Sequence, residues 1–393
     1  MRVTHVITRL IIGGAQENTI TSVLGLAARP DLQVDLVSGP TTGPEGSLEA
    51  TLRQSPGLLT LLPHLVRPIH PWKDALAYRD LTRLFRETKP DLVHTHSGKA
   101  GLLGRMAAAN ARTPIIVHSI HGPSFGSFQA WLPNLLFRAA ERYAGSLTDH
   151  FVVVADAMKE QYLAAGIGRP DQYTRISSGF NLQPFLEARN DAAVRARFGF
   201  KPDDFVVGKI ARLFKLKGHN DLLASLPDLV RSFPRTRVLL VGDGPWRQRF
   251  EQQVHDLGLQ EHVAFAGLVR PNQVAELVGI MDVLVHLSTR EGLPRALPQA
   301  MAAAKPVVAY DADGAREVCI NGKTGFLLPV GDRTGLSRAL TRLAQEAQLR
   351  EQFGSAGREL VRREFEAETM VGRIYQLYQK LARDAKTGRM KAP

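Results

Sequence analysis

The stretch "EGLPRALPQAMA", residues 291–302, sets a carboxylate and a neutral amide on either side of the start of an apolar helix. Glu291 lies in a Gly/Pro loop. Pro298 cannot donate a helix hydrogen bond and belongs in the first turn, which puts Gln299 in that turn as well. A carboxylate accepts from two vicinal hydroxyls, whereas an amide accepts from one and donates to another. An anion held at the helix start would have one hydroxyl-binding group on each side. That arrangement suits a nucleotide-sugar, with hexose near Glu291, diphosphate at the helix start and ribose near Gln299. In "IARLFKLKGHNDLL" (210–223), Arg212 follows a strand and Lys217-Gly218 opens a helix. A guanidinium, an ammonium and a helix N-terminus converging on one spot neutralise a diphosphate without a metal. Ordinary surface charge at a turn is the plainer alternative.

Other loops offer less specific chemistry. In "RLIIGGAQENT" (9–19), Gly13 and Gly14 open a helix, and their missing side chains let backbone N–H groups approach a phosphate. A tight turn explains the pair equally well. In "HTHSGKAG" (94–101), Ser97, Gly98 and Lys99 begin a helix, again a geometry that favours anions. His94 and His96 stand two apart at the strand end and are expected on opposite faces, against their sharing a metal. In "HSIHGPSF" (118–125), the turn His121-Gly122-Pro123 projects an imidazole able to donate to a sugar hydroxyl or a departing phosphate. A histidine capping its own loop is the alternative. "VGDGPW" (241–246) either borders a ligand or turns the chain. Asp311 and Asp313 in "YDADGAREV" could chelate Mn²⁺ or Mg²⁺. A turn with Asp313 near a helix N-cap is preferred, because cations for phosphate are already at hand. No metal is expected.

These loops need strands to present them. "VTHVIT" (3–8), "QVDLVS" (33–38), "DLVHTH" (91–96), "PIIVHSI" (114–120) and "HFVVVA" (150–155) read as buried parallel strands. Helical stretches such as "AGLLGRMAAANA" and "WLPNLLFRAAERYA" separate them. A second series starts at "DFVVGKIARL" (204–213) and continues with "RVLLVG", "HVAFAG", "DVLVHL" and "PVVAY". The alternation predicts an α/β protein of two doubly wound, Rossmann-like domains, residues 1–180 and 204–365. Residues 181–203 are expected to link them across a cleft, and residues 366–393 to form a last helix and a basic tail.

Composition narrows the class. The 393 residues suffice for two domains, and 44% apolar residues can fill two cores. One cysteine, Cys319, excludes an internal disulfide and fits a reducing compartment. "MRVTHVITRLIIGG" is too short and polar for a signal peptide and reads as a first strand. No apolar run reaches the ~18 residues of a spanning helix, so a cytoplasmic protein is expected. The net charge of +12 is spread out: residues 1–180 hold 18 basic and 14 acidic side chains, and residues 181–393 hold 32 and 24. A solvated surface accounts for that excess, and peripheral contact with anionic lipid head groups is the next reading. No aromatic-interleaved basic stripe supports nucleic-acid binding.

Assembled, these residues resemble a family 4 glycosyltransferase of the GT-B fold. The resemblance runs from "GGAQ" to the terminal helices and is most specific over 291–331, with "KPVVA", a Gly-x-x-Glu turn ending at Glu317, and "TGFLLP". "HTHSGKAGLLGR" and "VHSIHGPSF" are similar to bacterial exopolysaccharide and lipopolysaccharide transferases. The resemblance implies retaining transfer of a hexose from a nucleotide diphosphate sugar, UDP-linked first among them, without metal or cofactor. It implies a polysaccharide or lipid-linked acceptor, and a final helix that crosses back to the first domain. Arg212 and Lys217 match diphosphate binders, Gly13 and Gly14 the glycine loop beside the phosphates, and Glu291 with Gly292 and Leu293 the donor-sugar site. His121 matches the histidine near the reacting carbon. His96, Ser97 and Lys99 are candidates on the acceptor side. Gln299 departs from the pattern, which has Glu as ribose binder there. An epimerase or phosphorylase on the same fold, or a non-catalytic subunit that binds glycan, is the alternative.

Overall fold

The computed structural model describes residues 1–388 except 43–45, 54, 56, 97, 123 and 127. Ser97 and Pro123 therefore lie outside the described residues. The chain forms two compact units, Met1–Phe180 with Ala367–Pro393, and Asn181–Glu366.

The first unit is built on a seven-stranded parallel sheet. Its strands are β1 (Arg2–Ile7), β2 (Gln33–Ser38), β3 (Leu59–Leu61), β4 (Leu92–His96), β5 (Ile115–Ile120), β6 (His150–Val153) and β7 (Tyr173–Arg175). They lie in the order β3-β2-β1-β4-β5-β6-β7. Strands β1, β4 and β5 are central and almost wholly buried because helices cover both faces. Register aligns His5 with His94, His94 with Val117 and His96 with Ser119. One face, carrying Val3, Ile7, Leu92 and Val117, packs against the helices Gly14–Ala27 and Ala367–Lys386. The other, with Val6, Val93 and Ile116, packs against Pro71–Thr88 and Gly98–Asn110. The last helix thus belongs to the first unit. It buries Met370, Val371, Ile374, Leu377, Tyr378 and Leu381 there, each aliphatic side chain contributing about 1.5–3 kcal/mol.

The second unit holds a six-stranded parallel sheet of β8 (Phe205–Ile210), β9 (Thr236–Val241), β10 (Val263–Gly267), β11 (Val283–His286), β12 (Val307–Tyr310) and β13 (Gly325–Leu328). Its order is β10-β9-β8-β11-β12-β13. Val207, Leu240, Val285 and Val308 form its core with Leu222, Leu226, Phe250 and Leu340 from the flanking helices. Residues 181–203, expected as a linker, carry the short helices Gln183–Leu186 and Ala192–Arg197 and belong to this unit. Arg195 fixes them: its buried guanidinium bonds Asn190, the carbonyls of Lys201 and Asp204, and Asp282 at 3.1 Å.

Strands β3, β7 and β13 escape the sequence reading. All three are sheet edges of three or four residues, partly exposed, too short to stand out by pattern.

Candidate functional site

At the carboxyl edge of the second sheet, four loops come together. The loop after β8 carries Arg212, which is exposed and lies 5.7 Å from the Phe214 ring centroid. It has no ion-pair partner among the described residues. A single turn, Lys215–Lys217, follows, and Gly218 begins the helix His219–Ser232 with φ 69°. A Cβ at Gly218 would lie 2.2 Å from the Leu287 carbonyl oxygen, so only glycine lets this loop close on the end of β11. The loop "VGDGPW" supports it from below. A Cβ at Gly242, φ 132°, would stand 2.3 Å from the Ala211 carbonyl oxygen, and the Leu213 N–H donates to the Asp243 carbonyl at 3.1 Å.

Lys217 meets Glu291 here. Its ammonium pairs with the Glu291 carboxylate and lies 3.4 Å from Ser288 Oγ. Both side chains are partly exposed, so the pair is held weakly and can exchange partners. Glu291 is itself braced, since its backbone N–H donates to Asp313 Oδ2 at 2.7 Å. The Gly314 N–H bonds the Gly292 carbonyl at 3.1 Å. Asp313 sits at φ 47°, a left-handed conformation that aspartate tolerates. Burial pushes its carboxyl up, and the Glu291 N–H opposes that shift. The turn reading of 311–317 therefore stands with one correction. Ala312 is the N-cap, and Asp313 is a brace for the Glu291 loop. Asp311 pairs with Arg316 at 2.8 Å instead of joining Asp313. Glu317 closes the turn, half-buried.

Pro298 and Gln299 begin the seven-residue helix Ala296–Ala302, with Gln299 half-buried and Gly292 and Leu293 buried beside Glu291. So short a helix has little dipole, and Pro298 lacks an N–H. The charge that meets an anion here must come mainly from side chains. One cation escaped the sequence reading. Lys209 on β8 is buried, and desolvation with the neighbouring Lys217 pulls its ammonium down to about 7, against Asp221 and Glu291. A lysine inside "FVVGKI" was the available signal.

The first sheet's carboxyl edge is unlike this. Gly13 caps the helix Gly14–Ala27 in an extended conformation, with Gly14 as its first residue. Lys99, at the start of Gly98–Asn110, is bound to Asp74 at 2.5 Å and to the Pro68 carbonyl. His96 is 1% exposed, so it meets neighbours rather than ligand, and its Nδ1 lies 3.0 Å from His121 Nε2. The expectation that His94 and His96 point apart is wrong. Residues i and i+2 of a strand share a face, and the two rings stack at 4.3 Å. His5 on β1 joins them at 2.8 Å from His96, and Tyr378 contacts both His5 and His94. Same-face parity of "VTHVIT", "DLVHTH" and "VHSIH" would have found the histidines. Tyr378 comes from a distant helix and carried no local signal. Burial lowers all these imidazoles, His5 to about 3 and His121 to about 4, with His94 and His96 well below their usual range.

Residues 190–360 match the family described as glycosyl transferases group 1, and residues 13–179 match the glycosyl transferase 4-like domain. The chain belongs to the family 4 glycosyltransferases. This glycosyltransferase is 29% identical over 320 residues to the putative glycosyltransferase EpsD of Bacillus subtilis (strain 168), spanning 79% of this chain and 82% of that one. It is 27% identical over 289 residues to the UDP-Gal:alpha-D-GlcNAc-diphosphoundecaprenol alpha-1,3-galactosyltransferase of Escherichia coli, spanning 72% and 74%. In fold it is similar to HepE of Anabaena, crystallised with UDP, at TM-score 0.81 and 23% identity, covering 97% of this chain and 100% of that one. Among the described residues, no helix of the glycosyltransferase is long and apolar enough to cross a membrane.

Proposed function

We propose that this glycosyltransferase moves a hexose, with retention, from a UDP-sugar to a polysaccharide or lipid-linked acceptor, using no metal or other cofactor. The observation that carries the reading is the partly exposed Lys217–Glu291 pair, with Arg212 on the same post-β8 segment as Lys217 and without an ion-pair partner among the described residues. A nucleotide diphosphate sugar splits that pair: the diphosphate takes Lys217 and Arg212, and the sugar hydroxyls take Glu291. Gly292 and Leu293 shape the sugar site, and Gln299 binds the ribose. Two cations stabilise the charge that grows on the leaving diphosphate, an effect typically worth several kcal/mol. In retention, the C1–O bond to phosphate breaks and the acceptor oxygen bonds C1 on the same face. A leaving phosphate oxygen takes the acceptor proton. His121 donates to the donor sugar, and the Gly13-Gly14 turn offers N–H groups to the phosphates. The UDP assignment is supported by the named donor of the Escherichia coli relative. A donor screen over UDP- and GDP-sugars that follows nucleoside diphosphate release tests the reading, with product anomeric configuration read by NMR. Isomerised donor without acceptor, or inverted product, would contradict it.

The acceptor reading extends to a bilayer. The helix Trp131–Ser146 turns Glu141, Ala144 and Gly145 inward, where Glu141 pairs with the buried Arg105 at 2.8 Å. Its outer face exposes Trp131, Leu132, Leu135, Leu136 and Tyr143 next to Arg142. Ile69 and Trp72, 76% and 72% exposed, lie beside Arg67 and Lys73 at the same carboxyl edge of the sheet. Apolar side chains with basic neighbours fit the cytoplasmic face of an anionic membrane. Co-sedimentation with phosphatidylglycerol vesicles should fall at least fivefold in Trp131→Ser/Leu135→Ser, while transfer to a soluble acceptor persists. Equal binding by variant and parent would exclude this face.

A further inference from the structure

Six side chains of the first unit form one unbranched hydrogen-bond chain. Ser119 Oγ lies 2.8 Å from His94 Nε2, and His94 Nδ1 lies 2.5 Å from the Tyr378 hydroxyl. That hydroxyl lies 3.2 Å from His5 Nε2. His5 Nδ1 is 2.8 Å from His96 Nε2, and His96 Nδ1 is 3.0 Å from His121 Nε2. Only His121 is less than fully enclosed.

Each neutral imidazole has one N–H and one lone pair. Every link needs one proton, and a Tyr378 hydroxyl that accepted from both His94 and His5 would leave its own buried proton without an acceptor among the described residues, so all links point the same way. If they run from Ser119 outward, the Ser119 hydroxyl donates to His94, and every group is satisfied up to His121. If they run inward, His94 donates to Ser119 and the serine proton has no acceptor among the described residues. A buried donor left without a partner costs about 1–3 kcal/mol, which selects the outward direction. A shared metal fits the rings poorly. Zinc–nitrogen bonds of about 2.0–2.1 Å in a tetrahedron keep nitrogens some 3.3 Å apart, whereas His5 and His96 meet at 2.8 Å. Both His94 nitrogens are also engaged.

We infer that Ser119, His94, Tyr378, His5 and His96 are positioning residues that fix His121 in the Nδ1–H tautomer, so that it presents a hydrogen-bond donor and not a base. The use of that donor on the donor sugar rests on the function proposed above. Tyr378 brings the C-terminal helix into the chain, so the last helix takes part in setting a group at the sheet's carboxyl edge.

Histidine-selective ¹⁵N labelling of the full chain, with two-bond ¹H–¹⁵N correlation, reads each ring's tautomer. His121 should be the Nδ1–H form. Tyr378→Phe and Ser119→Ala each remove the bias and should yield a mixture of His121 tautomers. Their kcat should fall about three- to tenfold, the worth of one neutral hydrogen bond, with donor KM unchanged. Two independent variants guard against one failing to fold. A parent His121 in the Nε2–H form would overturn the inference. So would tautomer ratios indifferent to both substitutions, or stoichiometric zinc in the purified protein by elemental analysis. The tautomer is measured without sugar transfer, so the inference and the proposed function fail separately. Loss of transfer with every donor leaves the wire intact, and an Nε2–H ring in an active enzyme sinks the wire alone.

Discussion

The two parallel sheets end in opposite kinds of chemistry. The first collects imidazoles that are mostly buried and lie within hydrogen-bond distance of one another and of Tyr378. The second collects a partly exposed ion pair and a guanidinium with no ion-pair partner among the described residues. Fixed neutral groups orient a ligand, whereas exchangeable charges bind one. On the function proposed above, the same architecture would separate positioning from charge stabilisation.

The sharpest break in that comparison lies in the second unit. Arg212→Ala and Lys217→Ala should each lower kcat by about 10²–10³, the usual loss on removing one preorganised charge-stabilising group. Thermal unfolding should hardly move, because partly exposed side chains carry little stability. UDP-release kinetics and calorimetric scans check both halves. Glu291→Gln should separate sugar from nucleotide. It exchanges charge-assisted bonds for neutral ones, so kcat/KM falls roughly ten- to a hundredfold. UDP binding stays level or tightens, since Lys217 is released. A parallel loss of UDP affinity would show that Glu291 serves the phosphates.

The first unit should respond to acid. Unfolded imidazoles titrate near 6.5, while burial holds His121 neutral to about 4 and His5 to about 3. Below pH 6.5 the unfolded state takes up protons that the folded state refuses, so stability drops as pH falls. At pH 5 each such histidine costs about 2 kcal/mol relative to pH 7.5. Urea midpoints at the two pH values measure this, and substitution of His5 and His96 should flatten the difference. The smallest effect is expected at Gln299→Glu, which should raise donor affinity by up to about tenfold through a charged ribose bond, visible as a lower donor KM.

Central strands and cationic loops were legible because they are local. The runs around β5, β8, β9, β11 and β12 are largely apolar, β1 and β4 mix apolar residues with buried histidine and threonine, and Arg212, Lys217 and Glu291 each follow a strand. What resisted reading is relational. The edge strands β3, β7 and β13 are short and half-exposed, so pairing alone defines them. Asp313 acquires its role from the Glu291 N–H, and Lys209 from the charges above it. The histidine chain needed correct strand parity and a tyrosine 257 positions after His121 in sequence.

The central claim is that Arg212 and Lys217 hold a diphosphate. Calorimetric titration with UDP, UMP and uridine tests it most directly. UDP should bind at least about tenfold tighter than UMP, the scale expected of an added charge-assisted contact, and the Arg212→Ala/Lys217→Ala double variant should erase that gap. Equal affinity for UDP and UMP in the parent, or undiminished UDP binding by the double variant, would contradict it.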